Sequence, residues 1–249
     1  MSLLSGNQRF APTVFSTVLT LAGLALFLRL GWWQLDRAED KRALVEQFIV
    51  GQQSTVAVTA ESANSLPRYQ RVEAQGRYDS THQILLDNMP SQHGRAGYRV
   101  LTPLQLAGGG WLLIDRGWLA PGATRDELPV LAVDDELRTV AGRLDHLPAP
   151  GVRLDENPAD VGEGWPRVMN FPRHATLQKA LQRSLPERIV LLDANEPDGY
   201  ERQWQMNFSA GPERHIGYAV QWFAFALVAV ILYIVMSFRS KRASDERAR

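Results

Sequence analysis
The 23 residues from Ile216 to Phe238 contain no charged side chain, and this run restricts the fold more than any other feature of the chain. At ~1.5 Å per helical residue it extends roughly 35 Å, enough to cross a hydrocarbon core of about 30 Å. Within a bilayer a lone segment satisfies its backbone hydrogen bonds only as a helix, so the run predicts a transmembrane helix over residues 215–238. At 3.6 residues per turn His215, Tyr218, Trp222, Ala229 and Tyr233 share one stripe, with Ala219 and Ala226 beside it. Small residues admit a second helix or a flat ligand closely, and the histidine stands where membrane meets water.

A second apolar run lies near the amino end. Ala11 to Leu28 is almost wholly apolar, Arg29 interrupts, and Leu30 to Leu35 continues the pattern through Trp32 and Trp33. A cleaved signal peptide would end in a small-x-small site; two tryptophans of an interfacial belt follow instead, which predicts a retained helix over residues 13–35. Arg29 is then either an anchor that snorkels to the interface or a counter-charge for an anionic group held between the helices. Arg9 precedes this helix, and Arg239, Lys241 and Arg242 follow the other. Both ends, residues 1–12 and the basic tail 239–249, are therefore expected in the cytoplasm of a bacterial inner membrane, with lipid around the spans. Residues 36–214 are expected on the periplasmic side.

The whole chain has a formal net charge of zero, but residues 36–214 carry 25 acidic against 20 basic side chains. An acidic balance argues against nucleic acid as a partner. There is no cysteine, which excludes disulfides, thiolate metal sites and thiol nucleophiles.

After residue 35 the pattern stays helical to Gln52, with Leu44, Val45, Phe48 and Ile49 on one face. The period then changes. Short β-branched or alternating runs at 55–59, 69–74, 83–87, 98–106, 111–119, 139–144 and 188–192 read as strands, and Ala107 to Gly110 as a hairpin loop. Arg173 to Leu185, before Pro186, reads as a helix, and Pro148 to Gly164 as a mobile loop. The expected fold is a membrane α+β one, in which two transmembrane helices flank an extracytoplasmic antiparallel β barrel or sandwich with one packed helix.

Enzyme chemistry finds little support in the outer segment. Asn207-Phe208-Ser209-Ala210-Gly211 lacks the first glycine of a nucleophile elbow, and His82, His93, His146 and His174 lack ligand spacing. Asp134-Asp135 and Asp155-Glu156 lie in turn-like segments, where carboxylates are solvated. By elimination, any chemistry belongs to the membrane border.

Four motifs in order carry a resemblance. They are Leu30-Gly31-x-Trp33-Gln34-x-x-Arg37-x-x-x-Lys41, Gly97-x-x-Val100-x-Thr102-Pro103-Leu104, Asp115-Arg116-Gly117-Trp118-x-x-Pro121 and His215-x-x-Tyr218-Ala219-x-Gln221-Trp222-Phe223. With a helix at each end, the chain resembles the Surfeit-locus (Surf/Shy) assembly factors of cytochrome c oxidase over nearly its whole length. The resemblance implies a non-enzymatic assembly factor that assists the haem-bearing core subunit together with other oxidase assembly factors. It also implies involvement in haem a delivery, with the family's proposed haem ligand at His215. Arg214 stands where the family commonly has asparagine, and a cation there can pair with a haem propionate.

The expected cofactor site therefore comprises His215 as iron ligand, with Tyr218, Trp222, Arg29, Trp33 and Gln34 around haem a. A neutral imidazole ligates iron, and an aromatic stripe can cover a macrocycle. The competing account makes His215 and Tyr218 interfacial anchors and packs Trp222 on the first helix. In a purely structural chaperone the chain would hold the nascent oxidase subunit and never touch haem. Arg116 and Trp118 are expected either at a strand end packed on the β domain or as an exposed contact surface for the client.

Overall fold
The computed structural model describes residues 8–122, 127–150, 160–161, 164–202, 204 and 211–240. In chain order the elements are β1 (Gln8–Phe10), α1 (Val14–Gly51), β2 (Thr55–Ala57), β3 (Arg71–Tyr78), β4 (Ile84–Pro90), β5 (Ala96–Leu106) and β6 (Trp111–Leu119). There follow β7 (Arg138–His146), β8 (Asp160–Val161), β9 (Arg167–Met169), α2 (His174–Leu181), β10 (Arg188–Leu192), α3 (Pro212–Ser237) and β11 (Phe238–Ser240). They divide into two compact units, Met1–Leu44 with Asn207–Arg249, and Val45–Met206.

In the first unit, α1 and α3 are long and apolar enough to cross a membrane. Only 6% of the most apolar window of α1 and 11% of that of α3 is buried, so neither is the core helix of a soluble protein. Helix α1 begins where the Thr13 hydroxyl accepts the Ser16 N–H at 3.2 Å, a side-chain cap for an otherwise orphaned donor. It continues unbroken to Gly51, so the apolar run and the amphipathic stretch after it are one helix. Helix α3 opens on Pro212, whose missing N–H is not needed there, and carries Glu213 in its first turn. Beyond the far ends of the helices, β1 pairs antiparallel with β11.

The second unit is a nine-stranded sheet with α2 on it. Pairing passes from β3 to β7, β10, β6 and β5 and returns to β3, so five strands close a hydrogen-bonded ring. Most pairs are antiparallel as expected, but β2–β3, β4–β9 and β6–β10 are parallel. Each parallel pair joins strands that are not connected by a hairpin, an arrangement that local turn signals do not encode.

Side-chain alternation explains the layering. In β3 burial alternates strictly, and Val72, Ala74 and Tyr78 enter one core. In β6 and β10 both faces are buried. Leu112, Ile114, Val190 and Leu192 join that inner core, while Leu113, Ile189 and Leu191 join a second one beneath Leu177 and Leu181 of α2. That is why Trp111-Leu-Leu-Ile and Ile189-Val-Leu-Leu read as continuous apolar runs. The 107–110 loop closes the β5–β6 hairpin as expected, with Gly109 and Gly110 at φ 95° and 80°. The expected mobile loop lies mostly outside the described residues, and within its span Asp160–Val161 forms β8.

Helix α2 is shorter than its pattern, because Gln182 turns left-handed at φ 55° well before Pro186. Just beyond, the Arg183 guanidinium lies 3.7 Å from the Trp111 ring centroid and pairs with Asp79. Asp79 also accepts the Thr81 hydroxyl at 2.7 Å and stands 2.8 Å from His82 Nδ1. Burial alone would raise the Asp79 pKa, but hydrogen bonds from Thr81, Arg183 and His82 outweigh it and hold the carboxyl well below the usual range. A depressed folded-state pKa contributes stability that is complete above the unfolded value of about 4 and declines as pH falls below it. Acid unfolding of the detergent-solubilised chain should thus begin below about pH 4, and Asp79→Asn should flatten the fall in stability there. Equal pH slopes for the two chains would remove Asp79 from this role.

Candidate functional site
The seam between α1 and α3 is built from small and aromatic residues. Gly31, Ala38, Ala219 and Ala226 are buried, and small residues of this kind leave room for side chains of the facing helix. A Cβ on Gly31 would meet Phe223 Cε1 at 2.5 Å, so this glycine is where the Phe223 ring crosses α1. Trp222 stacks on Phe27 with centroids 6.0 Å apart and planes at 25°, and Tyr233 shares a 2.8 Å hydrogen bond with Thr17. These pairs run in opposite directions along the two helices, so the helices are antiparallel.

At the end of the seam, His215 Nδ1 lies 2.9 Å from Gln34 Oε1. His215 is half-buried in the first turn of α3, and its Nε2 has no partner among the described residues. The residues expected around it separate into two groups. Gln34 and Trp222 lie in the seam, although Trp222 has given a face to Phe27 instead of lying open to a ligand. Tyr218 is 47% exposed, and Trp33 is 49% exposed with the Arg37 guanidinium 5.9 Å from its ring centroid. Arg29 is exposed and is not brought into the seam. It precedes buried Gly31 by two residues, roughly 200° around the helix, which turns it to the opposite face.

Arg116 and Trp118 require a correction. An exposed arginine and tryptophan were the premise of a client contact, yet the two are 1% and 8% exposed. The cause is that both faces of β6 are covered; a bulge, in which β6 spends three residues between its pairings with Leu101 and Arg99 where β5 spends two, decides only the face that Trp118 takes. Gly117 takes φ 108° within it, and the Gly117 N–H donates to Asp115 Oδ1 at 3.0 Å. The bulge shifts Trp118 to the core beneath α2, where its Nε1 donates to the Met89 carbonyl at 2.9 Å.

Arg116 occupies the inner side. Its Nε donates to the Asp198 carbonyl at 2.6 Å, Nη1 to Gln83 Oε1 at 2.9 Å and Nη2 to the Ala132 carbonyl at 2.9 Å. Tyr78 and Tyr200 flank the guanidinium at 5.6 and 5.0 Å. Burial lowers its pKa, while the neighbouring tyrosines and Asp198 favour the cation. The side chain thus ties the segment after β10, the segment before β7 and the start of β4 together, which is a structural task. Beside it, wholly buried Asp115 is pushed upward in pKa by burial against the opposing pull of its partner Arg99.

A sequence model of the SURF1 family matches residues 21–227. The chain belongs to the SURF1 family. Among similar proteins, the SURF1-like protein of Rickettsia felis is 20% identical over 225 residues, covering 88% of this chain and 96% of that one. The SURF1-like protein of Rickettsia conorii is 21% identical over 214 residues, covering 84% and 86%. These matches bear out the resemblance drawn from the four motifs, and the SURF1 family is one of oxidase assembly factors and not a catalytic one.

Sequence reasoning recognised His215, Gln34 and Trp222 but missed Phe27, Gly31 and Phe223 as seam residues. Gly31 followed by seven to Ala38 was the available signal. Replacing Arg116 by leucine should destabilise the β unit by about 2–3 kcal/mol, since the Asp198 and Ala132 carbonyls lose a donor and Gln83 Oε1 is left with the Thr102 hydroxyl alone. Chemical denaturation of the full chain measures this; unchanged stability with lost oxidase co-purification would instead restore a contact role.

Proposed function
We propose that this SURF1-family chain is a membrane-anchored assembly factor for a haem–copper oxidase, holding haem a at the outer membrane border for the oxidase core subunit. The two apolar helices, the basic residues beyond them and the length of the intervening domain support a bacterial inner-membrane protein with cytoplasmic termini and a periplasmic β domain. Surrounding lipid and other oxidase assembly factors complete the expected partners.

The observation that carries the haem reading is the state of His215. One ring nitrogen is engaged by a neutral acceptor, the other has no partner among the described residues, and the ring is half-buried at a helix end. This donor set fits a haem, since one neutral imidazole can serve as an iron ligand. His215 would hold the iron through Nε2, Gln34 would orient the imidazole, and exposed Tyr218 and Trp33 would offer aromatic surface at the border. Arg29, on the far face of α1, is better suited to an interfacial anchor than to a counter-charge. The bound group supplies the iron and its redox chemistry, while the chain contributes a ligand, an orientation and partial exclusion of water.

The test is spectroscopic. Chain purified from cells that make haem a should carry a Soret band, and His215→Ala should abolish it. A band that persists in the variant removes His215 as ligand. A chain that never carries haem yet still co-purifies with the oxidase core subunit is a structural chaperone.

A further inference from the structure
We propose that Gln34 is a positioning residue that fixes the tautomer of His215 and, as a neutral acceptor, keeps its free nitrogen a ligand of moderate strength. The second half rests on the haem reading above; the first half does not.

The side-chain oxygen of Gln34 can only accept, so at 2.9 Å from His215 Nδ1 it requires the hydrogen to reside on Nδ1. In a neutral imidazole the lone pair then belongs to Nε2. Gln34 lies on α1 and His215 on α3, so the tautomer is determined by the pairing of two helices. That pairing is held tightly beside the site. Gly31, one turn before Gln34, lets Phe223 cross at a distance no Cβ would tolerate, and Phe223 is also edge-on to Trp32 at 6.2 Å. The imidazole thus meets Gln34 at a register its neighbours enforce.

The identity of the acceptor has a further consequence. Carboxylates that accept from a ligating histidine make it more basic and bind the metal more firmly. Asp36, Glu39 and Asp40 lie within two turns of Gln34 on the same helix, yet the partner of Nδ1 is the amide. An amide acceptor orients the imidazole without drawing off its proton. A carrier that must later give up its cargo needs this combination of a defined ligand atom and a limited hold.

Two measurements separate the parts. In full-length chain without haem, labelled with ¹⁵N-histidine in detergent at about pH 8, His215 should give the ring shifts of the Nδ1–H tautomer. Gln34→Leu should convert it mainly to Nε2–H, and Gln34→Glu, which restores an acceptor, should recover Nδ1–H. Identical shifts in all three chains would overturn the tautomer assignment. In chain loaded with hemin, Gln34→Leu should weaken affinity about 10-fold or more, as loss of such an orienting partner typically does. Gln34→Glu should lower the iron reduction potential and slow hemin transfer to apomyoglobin. If the tautomer responds but no chain binds hemin, the haem reading fails and the orienting role of Gln34 stands. If hemin binds equally to all three at one potential, the moderated-ligand role fails.

Discussion
Everything at the membrane border depends on how the side chains of α1 and α3 fit into one another. Lipid is as apolar as leucine, so burying side chains between two membrane helices gains little, and contact must come from dispersion and hydrogen bonds at short range. Gly31 provides the short range, since Phe223 occupies the space a side chain would take. Thr17 with Tyr233 and Gln34 with His215 supply hydrogen bonds near opposite ends of the seam. The stacked Phe27 and Trp222 fill the stretch between them. A histidine placed on a single helix would rotate freely at the interface; this one is held by the helix opposite.

The β unit solves a different problem in the same economical way. Five strands close a ring, and the strands whose neighbours cover both faces, β6 and β10, carry the continuous apolar runs. Arg116 collects two backbone carbonyls, of Asp198 and Ala132, and the Gln83 side-chain oxygen on one planar fork. The Asp115-Arg116-Gly117-Trp118 motif is therefore a folding device. Its glycine tolerates a left-handed backbone, its arginine bridges segments, and its tryptophan fills the core below α2.

These particulars mark what the amino-acid sequence could reveal. Both long helices were legible because an uncharged run has few alternatives in lipid, and strands such as Arg71–Tyr78 because alternation at period two is local information. The parallel pairs were not, since nothing near Ile114 announces Val190 as its neighbour. Arg116 and Trp118 misled because strands from elsewhere in the chain cover both faces of β6, and a bulge defined by the partner strand sets the face Trp118 takes. At the border, His215 and Gln34 were both legible as candidates; that they bond to each other was not, because it depends on the register of two helices separated by the whole β unit. Arg29 could have been assigned outward from its angle to Gly31 alone.

The picture that emerges is of a SURF1-family chain in which the helix pair holds the His215 imidazole against Gln34 and the β unit is braced by its own closed ring. Its central claim is the register of α1 against α3 in the membrane. The absence of cysteine permits a direct measurement: paired cysteine substitutions, bridged in native membranes by a short bifunctional maleimide, since partners bonded through long side chains stand too far apart for a disulfide, and read as a mobility shift. Thr17→Cys with Tyr233→Cys, and Gln34→Cys with His215→Cys, should cross-link readily, while Leu28→Cys with Val220→Cys, both on exposed faces, should not. Cross-linking of the exposed pair, or failure at both seam pairs, would contradict the account.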